Sequence, residues 1–145
     1  MTNYDTDLAL WAAEQAALLR ASRFDELDRH NLTEELETLA RGLRRELVDR
    51  LTRLLQHLLQ WELLEGHRLP AWYVAIQEER GMIPRLLEDA PSLADDWPTI
   101  YEQAWQAALD AACAATGLSP RLMPPRGYRS EMALDVTFWP GKPDI

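Results

Sequence analysis

Eight leucines at 32, 36, 39, 43, 47, 51, 54 and 58 step through the chain by threes and fours. That spacing is the period of an α-helix, so all eight fall on one stripe of a single long helix reaching Gly66. Asn31 is placed to cap its start, and Glu34 stands three residues later in the arrangement of a capping box. A helix this long with one apolar stripe has to be covered by other helices, which points to an all-α bundle.

The remaining segments supply the cover. Leu8, Trp11, Ala12, Gln15, Leu18 and Leu19 recur at helical spacing and predict a first helix over about residues 6–21. "SRFDELDRH" reads as a connector with room for one helical turn, anchored by Phe24 and Leu27. Pro70 suits the first turn of the next helix, where its missing N–H does no harm. Trp72, Ile76, Ile83 and Leu86 mark the apolar face of that helix, and Gly81 and Pro84 inside the pattern predict a kink or break. "APSLADDWP" is a connector or an irregular helix start. A further helix follows from Pro98 on the spacing of Ile100, Tyr101, Ala104, Trp105, Ala108 and Ala112, ended by Gly117. A proline-rich tail over 120–145, with one short helix near 130–135, is expected to pack over the bundle. The chain therefore reads as a single all-α domain, 1–145, of about four main helices with a partly irregular C-terminal tail.

Composition bounds the function. The 145 residues suffice to bury roughly 68–70% of the unfolded chain's surface. The formal charge of −9 and pI near 4.8 argue against nucleic acid and anionic membrane as partners. "RGLRRELVDRLTR" is locally basic, but Glu46 and Asp49 precede Arg50 and Arg53 by one helical turn, which reads as a solvated face. Cys113 is the single cysteine, so no intrachain disulfide forms; within an alanine-rich helix it reads as a small packing residue. "MTNYDTDLAL" lacks the features of a signal peptide, and no apolar run approaches a membrane span. A cytoplasmic protein is expected.

Several stretches in this order carry a resemblance: "RFDELDRHNLTEELETL", "LLQHLLQW", "AWYVAIQEER", "LLEDAPSL", "TGL" and the terminal "ALDVTFWP". Together they resemble the bacterial family called "domain of unknown function 29". The resemblance implies an all-helical, mostly bacterial protein and supplies no activity. The chain departs from the family pattern in places. Ala71 and Ala75 stand where serine and threonine are frequent, Leu43 where glutamate is usual, and a cysteine–proline pair before Tyr128 is absent.

Among polar candidates, His57 interrupts the leucine stripe and Glu79 interrupts the stripe of the following helix, at a position where the family often has glutamine. Folding the two helices back near residue 67 sets His57 level with residues 77–79, so a His57–Glu79 contact is expected at the seam. The plain reading is a structural pair; the sharper one is a proton-transfer pair or part of a metal site. Glu35 cannot join His57, since 22 residues of helix separate them by about 33 Å. Leu54 occupies the position where a bundle di-iron site needs glutamate. His30 and Glu34, with the acidic residues around them, are a weaker metal candidate, because a helix start is acidic in any case. No phosphate-binding or nucleophile motif is present, and no cofactor is expected. The tryptophans read as core or interface. The leading expectation is a small acidic helical module that binds a protein partner or forms a homo-oligomer. The alternative is a metal-dependent or acid/base enzyme centred on His57 and Glu79.

Overall fold

In the computed structural model, which describes residues 2–141, the helical spacing becomes four long α-helices and one short one. These are α1 (Leu8–Arg20), α2 (Arg29–Leu63), α3 (Pro70–Asp89), α4 (Trp97–Thr116) and α5 (Ser130–Leu134). Among the described residues there is no strand, so the chain is all-α. Its contacts gather into two compact units, Met1–Gly42 and Leu43–Ile145.

In the first unit α1 and the opening turns of α2 run antiparallel. Asp7 caps α1 by accepting from the Leu10 N–H at 2.9 Å. The chain reverses after Arg20 through Ser22, which takes a left-handed φ of 56°. A single 3₁₀ turn follows at Phe24–Glu26, but Phe24 is exposed and does not anchor the connector as expected. The cap of α2 also differs from the expectation. Asp28, not Asn31, accepts the first helical bond, from the Leu32 N–H, and its carboxylate takes the Asn31 N–H and side-chain amide. A tertiary contact decides between these two good capping residues. The Trp11 Nε1–H donates to Asp28 at 2.9 Å, and the Gln15 side-chain oxygen accepts from the Asp28 N–H at 2.8 Å.

In the second unit the C-terminal half of α2 supplies the core. Leu47, Leu51, Leu54, Leu55, Leu58 and Leu59 are fully buried there. They meet Ile76 and Ile83 of α3 and Ile100 of α4. Ala104, Ala108 and Ala112, four residues apart on α4, are buried too, and small side chains at that spacing let helix backbones approach closely. α2 stops at Leu63, three residues short of the expected Gly66, and a 3₁₀ turn over Glu65–His67 leads into α3. Pro70 takes the first turn of α3 as expected. No break occurs at Gly81 or Pro84: α3 runs through both. Buried Ile83 and Leu86 hold this stretch in place, and that packing outweighs the one backbone donor that proline removes. "APSLADDWP" forms a 3₁₀ segment, Pro91–Asp96, leading directly into α4 at Trp97. Gly117 ends α4 in the left-handed conformation, φ 74°, with its N–H on the Cys113 carbonyl.

Past Pro120 the tail lies against α2, α3 and α4 of its own unit. Gly127 faces the indole of Trp105 so closely that a Cβ there would come within 3.0 Å of the ring. The last four residues of the expected tail, 142–145, lie outside the described residues.

Candidate functional site

The expected His57–Glu79 contact is not formed. Glu79 is buried, 2% exposed, and its carboxylate accepts from Arg50 at 3.3 Å and Arg53 at 2.9 Å. Arg53 also reaches Glu78 at 2.9 Å. His57 is half-buried, with Nδ1 2.7 Å from the Arg53 carbonyl of its own helix. The cause is competition along one stripe. Arg50 and Arg53 precede His57 by seven and four residues, on the same side of α2, and bring longer side chains with permanent charge. A carboxylate in an apolar seam takes guanidinium partners first. The basic stretch is thus only partly a solvated face: Arg50 does pair with Glu46 at 3.0 Å, but Arg53 turns to α3 instead of Asp49. The hydrogen bonds to Glu78, and then to Glu79, hold the Arg53 guanidinium above its ordinary pKa.

His30 and Glu34 lie one turn apart at the solvent-facing start of α2, with Nε2 and Oε1 3.9 Å apart and both side chains well exposed. Among the described residues, no group of three or more His, Cys, Asp or Glu side chains is arranged to hold a metal ion. Cys113 is a half-buried free thiol on α4.

Sequence reasoning passed over a second arginine system, which straps the tail. Arg80, 4% exposed, donates from Nε to the Ala133 carbonyl at 2.9 Å and from an Nη to the Phe138 carbonyl at 2.7 Å. Its guanidinium lies 5.1 Å from the ring centre of Trp139, which stacks on Tyr73 at 5.2 Å and touches Trp61 at 4.8 Å. Burial pulls the Arg80 pKa down. Nearby, the Tyr101 hydroxyl donates to the Tyr128 carbonyl at 2.6 Å, and the Tyr128 hydroxyl donates to Glu62.

Burial first, then the Glu62 carboxylate, pushes the Tyr128 hydroxyl far above its ordinary 10.0; burial does the same to Tyr101. An acid whose folded pKa is raised contributes its full stability below the unfolded pKa and loses it as pH rises past that value. The Leu43–Ile145 unit is therefore expected to lose stability progressively above pH ~10, the unfolded tyrosine value. Tyr128→Phe should flatten this alkaline limb in urea titrations followed across that range. An unchanged limb would remove Tyr128 as its cause.

An open concavity lies in the Met1–Gly42 unit, between α1 and the start of α2. It is a cleft of about 690 Å³ with Trp11 and Gln15 at its base. Its walls are Leu8 and Leu19 on α1 and Leu36 and Leu39 on α2, which remain 50, 49, 65 and 61% exposed. Among the described residues Glu35 is the one charged group lining it, and the carboxylate accepts from the Tyr4 hydroxyl. Two helices leave one face of each without cover, and here that face is leucine. The sequence did carry a signal for this cleft. Leu32, Leu36 and Leu39 continue the stripe beyond its fully buried part, although periodicity alone does not mark where burial stops.

A strapped helical core and an open apolar cleft define the class: an all-α protein built on one 35-residue helix. The family described as Domain of unknown function DUF29 matches residues 3–139, and the chain belongs to that family. No curated protein matches the chain, and no solved structure does either. No helix of the described residues is long and apolar enough to cross a membrane.

Proposed function

We propose that this protein is a protein-interaction module whose docking surface is the apolar cleft of the Met1–Gly42 unit. The observation that carries the reading is the exposure of Leu8, Leu19, Leu36 and Leu39 along a single cleft. Scattered surface leucines need no explanation, but contiguous apolar surface around a concavity is the mark of a binding site. The acidic composition and lone cysteine fit a bacterial cytoplasmic setting for that interaction.

A photo-crosslinking residue placed at Leu36 tests the reading in cells of the source organism. The expected result is a discrete covalent adduct, with a partner protein or with another copy, which a crosslinker at exposed Gln103 on α4 does not give. Equal labelling from both positions, or none from Leu36, would remove the cleft as a docking surface.

A further inference from the structure

We infer that the cleft receives a basic amphipathic helix of another protein, with Glu35 meeting a lysine or arginine on that helix. The inference rests on the docking reading above and adds the chemistry of the partner. Shape comes first. Two antiparallel helices leave a groove that a third helix fills with its own ridge of apolar side chains. Leu32, Leu36 and Leu39 on one wall, and Leu8, Ala12, Ala16 and Leu19 on the other, keep the three- and four-residue steps such a ridge needs. The 13 residues of α1 give a wall of about 20 Å, which accepts a helix of three to four turns.

Charge then selects among helices. A docked helix buries Glu35, and a carboxylate taken from water without a cation is heavily penalised. The Tyr4 hydroxyl meets it with one neutral hydrogen bond, and the cleft lining contains no base. A second copy of the same cleft would bring another Glu35 and likewise no base, so self-pairing leaves two buried carboxylates unmatched. Residues 1–42 hold nine carboxylates against four arginines, a field that draws in a basic segment and repels a copy.

The test uses the full chain and two fluorescent peptides of about 18 residues with the same leucine spacing, flanked by lysine in one and glutamate in the other. Fluorescence anisotropy is expected to show the lysine peptide binding at least ~10-fold tighter than the glutamate peptide. Glu35→Gln should weaken the lysine peptide by about 10-fold, and Leu36→Asp should abolish its binding. Glu37→Gln, a charge change outside the cleft lining, should leave it unaltered, with circular dichroism confirming that every variant is folded. Equal loss in the Glu35 and Glu37 variants would reduce the effect to bulk charge and overturn the inference. Equal binding of both peptides, still abolished by Leu36→Asp, would overturn the basic partner while leaving the docking reading in place. A dimer of the free chain dissolved by Leu36→Asp would instead assign the cleft to a second copy, and failure of the lysine peptide to bind would also end the inference.

Discussion

Leu54→Ala is expected to cost about 3 kcal/mol of stability, whereas Leu39→Ala, the same change on the same stripe, should stay within ~0.5 kcal/mol. Leu54 is wholly buried among the helices of the Leu43–Ile145 unit, so truncation leaves a cavity walled by neighbours that only partly collapse. Leu39 is 61% exposed in the open cleft and leaves no enclosed void. Urea unfolding of the two variants against the parent chain measures the difference. Similar losses at both positions would mean that Leu39 is covered, and the apolar cleft would not exist as a free surface.

The second large effect is expected at Arg80. Arg80→Met keeps much of the side-chain volume but removes the donors to two tail carbonyls. Hydrogen bonds from charged donors contribute roughly 1.5–3 kcal/mol each, so a loss of about 2–4 kcal/mol is expected once the relief of burying a charge is deducted. The tail should detach, and limited proteolysis should then cut between residues 120 and 141 where the parent chain resists. Trp139 fluorescence should shift to the red as the ring leaves Tyr73 and Trp61. If Arg80→Met melts with the parent and resists protease, the desolvation of the guanidinium cancels its bonds and aromatic packing alone holds the tail.

What the sequence disclosed follows from what has a period. The four long helices, the glycine stop at 117 and the short helix at 130–134 rest on spacing and on local chemistry, and both are visible in one dimension. Cover is not periodic. Leu36 and Leu51 belong to one stripe, yet only Leu51 is buried, because burial depends on which helices lie opposite. The partners of Arg80 are backbone carbonyls, which every residue has, so nothing in "EER" marks it as the tail's anchor. Glu79 did stand out, as a carboxylate within an apolar stripe. Its partners are not legible in the same way, because His57 also interrupts a stripe, while Arg50 and Arg53 carry the i, i+4 pairing pattern of an exposed helix face. At the start of α2 the sequence points to Asn31 as the cap, but Asp28 takes that place because Trp11 and Gln15 of α1 hold it, a contact that local capping chemistry does not show.

The strap on the second unit also sets an order of events during synthesis. Arg80 leaves the ribosome long before the carbonyls of Ala133 and Phe138 that receive it, and Glu62 precedes Tyr128 by 66 residues. At roughly 5–20 residues per second, the Arg80 guanidinium stays in water for several seconds before the two tail carbonyls that receive it are made. The nascent unit therefore lacks these contacts until residue 139 has emerged from the ribosome, and the tail is the piece that supplies them.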